Sequence, residues 1–249
     1  MNKECNINNS RLINGECLEI MDKLIEEGVR VDAIICDPPY GTTACKWDVI
    51  IPFDEMWERL KLLRKDKSPI VLFGSEPFSS TLRVSNLKEF KYDWIWEKSK
   101  ATNFLNAKKQ PLRAYEIVSI FYKKPCLYNP QMTKGNAYNK GVRKEQTEND
   151  VYGEFKPVEV KSDGFRYPRN VIYFKTAESE GKTFHKTQKP IALMEYLVKT
   201  YTNDGDVVLD FTMGSGSTGV ACKKLNRGFI GIELDEGYFN KSVERISKI

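Results

Sequence analysis

The sequence predicts an α/β fold: a mostly parallel sheet of seven strands, helices on both faces, and one small inserted region. Three observations carry this. Seven apolar runs bounded by turn residues read as strands: RLIN (11–14), VDAIIC (31–36), PIVLFG (69–74), YDWIWE (92–97), EIVSIFY (116–122), DVVLDF (206–211) and GFIGIEL (228–234). Helical patterns lie between several of them, and such alternation implies parallel strands covered on both faces. One stretch, from Pro125 to about Gly164, breaks the alternation with Lys-, Asn-, Gly- and Glu-rich text. It reads as an inserted loop region or small subdomain.

The helices justify themselves by spacing. In CLEIMDKLIEEG (17–28), Leu18, Met21, Leu24 and Ile25 share a face, and Gly28 ends the run. FDEMWERLKLLRK (53–65) gathers Met56, Trp57, Leu60 and Leu63. PIALMEYLVKTY (190–201) opens on proline, a favoured first-turn residue. Trp94 and Trp96 alternate with Asp93 and Ile95, so their face is expected in the core.

Composition excludes several classes. The chain of 249 residues is 41% hydrophobic and 29% charged, as a globular protein is. No apolar run approaches the roughly 18–20 residues of a membrane span, and MNKECNINNSRLING has no apolar core of a signal peptide. A cytoplasmic protein with no membrane partner is expected. Its six cysteines form no C-x-x-C pair and there is one histidine, His185, so neither a metal site nor a disulfide framework is expected. His185 is read as structural rather than as a base. Net charge is +5, yet residues 123–190 hold 14 Lys or Arg against 8 Asp or Glu. The rest of the chain is nearly balanced, which points the middle segment toward a polyanion.

Two stretches carry chemistry. The first is ICDPPYG (35–41). A buried strand stops on Asp37, two prolines fix the backbone, and an aromatic ring follows. Asp37 offers a carboxylate oxygen and Pro38 a rigidly held carbonyl, two acceptors for the two hydrogens of a nucleobase amino group. Both bonds favour a tetrahedral nitrogen and free its lone pair. Pro39 stiffens the turn, and Tyr40 offers a face on which a base stacks for roughly 1–3 kcal/mol. Such a base must first leave its duplex. The electrophile expected is the methyl of a sulfonium such as S-adenosylmethionine.

The second is DVVLDFTMGSGSTGVACKKL (206–225). A strand runs into Gly214, Gly216 and Gly219 spaced G-x-G-x-x-G, a helix follows, and the next strand ends in Glu233. Glycines admit a ligand close to the backbone, helix N-termini offer free N–H groups, and the acid suits the ribose hydroxyls of an adenosine-type cofactor. Too little chain follows Gly219 to complete a Rossmann-like sheet, so the earlier strands must supply it. Both motifs then sit at carboxyl ends of parallel strands and face one crevice. A nicotinamide oxidoreductase is the competing reading of the glycines, but it has no use for Asp-Pro-Pro-Tyr.

These residues, with NGECLEIM (14–21), VLFGSEPF (71–78), DWIWEKSK (93–100), LRAYEIVSIFYKK (112–124) and FHKTQKPIALMEYLVKTY (184–201), resemble the N6-adenine/N4-cytosine DNA amino-methyltransferases. The likeness is to the permuted (beta-type) group, in which the catalytic motif comes first and the cofactor motif last, and it covers nearly the whole chain. Glu16 stands where the family usually has Asp, Lys186 where it has the first Pro of His-Pro-Thr-Gln-Lys-Pro, and Ser217 where it has Thr.

The resemblance implies a Rossmann-like S-adenosylmethionine-dependent methyltransferase fold. It divides the chain into a catalytic half (1–124), a target-recognition insertion (125–183) and a cofactor-binding half (184–249). Asp37, Pro38, Pro39 and Tyr40 would be catalytic. Asp210, Gly214, Gly216, Ser217 and Thr218 would hold the methionine part of the cofactor beside Asp37, with Lys189 near its carboxylate. Phe211 would pack on the adenosine, Glu233 would bind the ribose, and Glu16 and Cys17 would meet the adenine edge. Double-stranded DNA would lie along Lys100, Phe104, Lys108 and Lys109 and be read by residues such as Arg143, Lys144, Arg166 and Arg169. An Asp at the head of the tetrapeptide is the adenine enzymes' tendency, so site-specific adenine N6 methylation is expected. The alternatives are cytosine N4 methylation and a silent nucleic-acid-binding module. A second copy of the chain and a cognate restriction endonuclease are the further partners such enzymes take, although no interface is legible.

Overall fold

A computed structural model describes residues 3–43, 45, 48–142, 158–185 and 187–249, and the backbone of 148–149 and 153–154. The N-terminal part runs β1 (Glu4–Ile7), β2 (Ser10–Asn14), α1 (Cys17–Glu26), β3 (Ala33–Cys36), α2 (Phe53–Leu63), β4 (Ile70–Gly74), α3 (Phe78–Ser85), β5 (Phe90–Thr102) and β6 (Arg113–Phe121). Pro130–Arg169 forms a separate compact unit. Its described strands are three short antiparallel pairs: β7 (Thr133–Lys134) with β12 (Phe165–Arg166), β8 (Tyr138–Val142) with β11 (Glu159–Ser162), and β9 (Glu148–Asn149) with β10 (Gly153–Glu154). The chain then adds β13 (Val171–Phe174), α4 (Ile191–Tyr201), β14 (Val207–Asp210), α5 (Ser217–Lys224), β15 (Gly228–Glu233) and α6 (Glu236–Ser247).

The main unit holds one sheet in the order β1-β2-β15-β14-β3-β4-β6-β5-β13. Five of its eight pairings are parallel. The sheet has nine strands, not the seven expected. The additions are its two edges, β1 and β13, each of four residues. In β13 only Ile172 is buried, while Val171 and Tyr173 face outward. Its four residues, VIYF, all favour strands, but they lie inside the basic segment that reads as an insertion, and it is pairing with β5 that makes them an edge of the main sheet. Because it pairs with β5, the residues after 169 belong to the main unit, and the compact unit is narrower than the segment 125–183.

Strand alternation sorts the core into two layers. Ala33, Ile35, Val71, Phe73 and Val208 point to one face, where α4, α5 and α6 bring Leu197, Val198, Ala221 and Phe239. Ile34, Cys36, Ile70, Leu72 and Leu209 point to the other, against Met21 and Leu24 of α1 and Met56, Trp57 and Leu60 of α2. Trp94 and Trp96 are buried, as their alternation predicts. Three helix starts have a local cause. The Glu16 carboxylate accepts from the Glu19 N–H at 3.0 Å, and Asp235 accepts from that of Tyr238 at 2.8 Å. Pro190 precedes α4, whose free Ile191 and Ala192 N–H groups donate to Glu180 at 2.6 and 2.9 Å.

Two topological facts position the site. Adjacent strands β3 and β14 are reached by connections running in opposite directions across the sheet, which opens a crevice beyond their carboxyl ends. Gly74, the last residue of β4, lies opposite Ile117 of β6. The hairpin of β5 and β6 therefore extends past that same edge.

Candidate active site

The crevice is a cavity of about 390 Å³ lined by residues from both informative stretches: Asp37, Pro38, Pro39 and Tyr40 after β3, Asp210 at the end of β14 with Phe211 to Ser215 following it, and Glu233 at the end of β15. Glu16, Cys17, Ser217, Thr218 and Lys189 also face it. The two loops are tied directly. Thr212 Oγ1 donates to the Asp37 carbonyl at 3.0 Å and lies 3.0 Å from Cys36 Sγ. Thr212 has no singular signal in the sequence, since its role depends on β3 and β14 lying side by side.

Asp37 sits in a dense polar setting. Its Oδ1 accepts from the Tyr40 hydroxyl at 2.5 Å and its Oδ2 from Lys189 Nζ at 2.5 Å. Burial pushes its pKa above the ordinary carboxylate value, Lys189 opposes that rise, and the nearby Glu116 charge adds to it. Burial works against the Lys189 charge, but Asp37 and Glu116 outweigh it and raise the ammonium pKa. Lys189, expected beside a cofactor carboxylate, is thus engaged by two carboxylates of the protein itself. The Tyr40 ring stacks on Phe78 with centroids 5.0 Å apart.

The glycine turn is built as its spacing predicts. Gly214 and Gly216 take φ of +53° and +77°, a region costly for other residues. Glu233 Oε2 accepts from the Gly214 N–H at 2.9 Å and Oε1 from that of Asp235 at 2.8 Å. Asp210 accepts from Thr218 Oγ1 at 2.5 Å, so Thr218 is spent on Asp210. Ser217 Oγ is buried with no hydrogen-bond partner. Burial pushes the Asp210 carboxyl up to about 6 and that of Glu233 up to about 7. Phe211 is fully buried. Cys17 Sγ donates to Glu16 at 3.3 Å, and burial pushes the thiol pKa far up. His185 also lines the cavity, its ring edge-on to Tyr238 with centroids 4.2 Å apart.

Two more participants, besides Thr212, escape sequence reasoning. Asp48 accepts four consecutive backbone N–H groups, from Tyr40 and Gly41 on Oδ1 and from Thr42 and Thr43 on Oδ2, at 2.7–2.9 Å. Glu116, half-buried on β6, lies 3.3 Å from Lys189 Nζ and accepts from Lys98 Nζ at 3.2 Å. A lone acid in a lysine-rich chain gives neither away.

The residues expected on DNA fall in several places. Lys100, Phe104, Lys108 and Lys109 are exposed on the β5–β6 hairpin, Phe104 to 74%. Arg169 is exposed. Arg166 is drawn inward within its own unit, donating to Ser162, Asn136 and Phe165 and lying over the Tyr138 ring. Arg143 and Lys144 lie outside the described residues, as does Lys186. Among the described residues no cluster of potential metal ligands occurs, and no helix is long and apolar enough to cross a membrane.

Known proteins resemble this chain. The Type II methyltransferase M1.MboII of Moraxella bovis is 27% identical over 253 residues, spanning 91% of this chain and 92% of its own. The Type II methyltransferase M.HpaI of Haemophilus parainfluenzae is 25% identical, over 95% of this chain and 74% of its own. The crystal structure of the M1.HpyAVI–SAM complex superposes with a TM-score of 0.67 at 26% identity, covering 95% of this chain and 98% of that one. The family described as DNA methylase matches residues 31–244, nearly the whole span from β3 to α6. The chain therefore belongs to the N6/N4 DNA methylase family and is a DNA methyltransferase that uses S-adenosylmethionine.

Proposed function

We propose that this protein methylates the N6 amino group of an adenine turned out of duplex DNA within a short recognition sequence. The observation that supports this best is the meeting of Asp37 and the glycine turn in one cavity, tied through Thr212. The cavity residues fit S-adenosylmethionine. Glu233 is an acceptor suited to ribose hydroxyls, Phe211 and Leu234 give apolar wall, and the unspent Ser217 hydroxyl at the start of α5 suits a carboxylate. When bound, the cofactor supplies a methyl group on a sulfonium sulfur as electrophile.

The protein's part is acceptor placement. Asp37 Oδ1 and the Pro38 carbonyl take the two amino hydrogens, and the nitrogen lone pair turns outward. A carboxylate oxygen accepts more than one hydrogen bond, so the Tyr40 hydroxyl and the target N–H share Oδ1. The Tyr40 ring holds the base by its face. After transfer the nitrogen sheds a proton to Asp37 or to water. An Asp37 pKa raised by burial favours the first route.

Duplex DNA would run along the exposed hairpin lysines Lys100, Lys108 and Lys109, with residues 125–183 reading sequence through Arg169, Arg143 and Lys144. The Type II relatives support a modification role beside a restriction endonuclease. The decisive experiment incubates the protein with tritiated S-adenosylmethionine and duplex DNA and separates the modified nucleosides. Label in N6-methyladenine, absent with D37A, is the expected outcome. Label in N4-methylcytosine overturns the choice of base, and no label with active cofactor binding leaves a silent binding module.

A further inference from the structure

Asp37, Lys189, Glu116 and Lys98 form a chain of alternating charge. Lys189 Nζ is 2.5 Å from Asp37 Oδ2 and 3.3 Å from Glu116 Oε2, and Glu116 Oε1 accepts from Lys98 Nζ at 3.2 Å. All four come from different places: the end of β3, the approach to α4, β6 and β5. Lys189 and Lys98 are 8% exposed. Charges so buried persist only when paired. Two carboxylates and two ammonium groups balance within the set. The Glu116 Oε2 contact to Lys189 is ionic, since that oxygen is buried outside hydrogen-bond geometry. The Phe73 and Tyr40 rings also lie near the ammonium, their centroids 5.1 and 5.9 Å away. The ammonium is therefore held from several sides, and its proton on Asp37 Oδ2 fixes which carboxylate oxygen is left toward the cavity.

We infer that Glu116 is a positioning residue: it pins the Lys189 ammonium on Oδ2 of Asp37, so that Oδ1 alone is presented to the target amino group. This rests on the reading of Asp37 as the acceptor for that group. Without Glu116, two buried ammonium groups share one carboxylate. Lys189 is then free to slide along Asp37 or toward an anion in the cavity, and the acceptor loses its fixed direction. A displacement of about 1 Å at a reacting centre costs on the order of 100-fold in rate.

The test is E116Q in the full chain, with E116D as the conservative variant and K98M/E116Q as a pair that removes one charge of each sign. Single-turnover methylation is measured across pH, and S-adenosylmethionine and DNA affinities are measured by calorimetry. The expected result is a rate about 10- to 100-fold lower in E116Q, both affinities within about threefold (roughly 0.6 kcal/mol), and partial recovery in E116D. The acid limb of the profile should also move to lower pH. Asp37 is faced by Lys189, Tyr40, Cys36, Asp210 and Glu116, and of these only the Glu116 charge is removed, which had been raising the Asp37 pKa. A merely structural role lowers the rate without moving that limb. An E116Q rate within threefold of the parent, or an unmoved limb, overturns the inference, and the same criteria apply to the charge-balanced pair if E116Q does not fold. D37N separates the two readings. If D37N is as active as the parent, the acceptor reading fails; if D37N is dead and E116Q is normal, only the role of Glu116 fails.

Discussion

Asp48 does with one carboxylate what a whole turn of secondary structure usually does. Four backbone N–H groups, those of residues 40–43, converge on it, and the first belongs to Tyr40. Burial pushes the Asp48 pKa up, but hydrogen bonds from the Thr43 side chain and from these backbone groups outweigh it, and the group titrates below its ordinary value. A depressed pKa means stability that is present at neutral pH and lost as pH falls through the acid range below about 4. D48A should destabilise the fold by about 1–3 kcal/mol, the cost of freeing partly buried donors. It should lower methylation further by loosening Tyr40, and urea titration with a rate assay checks both. Glu233 gives an opposite sign. Burial raises its pKa to about 7, so the ionised acceptor appears only as pH rises through that value. Cofactor affinity should fall below pH 7 by up to about tenfold per unit. Calorimetry from pH 6.5 to 8 should show this in the parent and a much weaker pH dependence in E233Q, where Asp210, near 6, still titrates at the acid end.

At the scale of elements, α5 owes its place to a missing side chain. A Cβ on Gly219 would meet Ile246 Cδ1 at 2.5 Å and Phe229 Cε1 at 2.6 Å, so only glycine lets α5 lie against β15 and α6. G219A should cost about 1–3 kcal/mol by overpacking and shift the N-terminus of α5 away from the cavity. A lowered urea midpoint with weakened cofactor binding is the expected pair of readings. The glycine turn was legible because local spacing encodes it: strand, two glycines of positive φ, a third at a packing contact, and an acid closing the next strand. The tetrapeptide was legible because prolines after a buried strand are conspicuous. Glu116, Asp48 and Thr212 were not, for the opposite reason. Each acts only through a register between distant segments, and one acid or hydroxyl carries no period. The edges failed likewise. In β1 half-buried residues alternate with exposed ones, too little apolar signal to separate a strand from a loop, while β13 carries four strand formers but sits in a segment whose basic text reads as an insertion.

For the molecule as a whole, charge is concentrated rather than high. The segment 123–190 holds the positive excess that the remainder lacks, and the β5–β6 hairpin adds exposed lysines beyond the crevice edge. Each lysine that meets a phosphate contributes to the salt dependence of binding by slightly less than one unit of slope. K108A/K109A should therefore weaken duplex binding at low salt and flatten the plot of log affinity against log salt by about 1.8. An unchanged slope from fluorescence anisotropy would remove the hairpin from the DNA path.

The order of the sheet has one more consequence. β2 and β3 are separated by only one helix along the chain, yet β15 and β14 lie between them. A nascent polypeptide leaving the ribosome thus carries a slot two strands wide until residues 207–233 have been translated. Everything made earlier keeps raw edges on both sides of that slot, and the glycine turn that closes the crevice waits for these residues. Premature termination should leave no partly working catalyst, so a cell making this protein gets either the whole modifying activity or none.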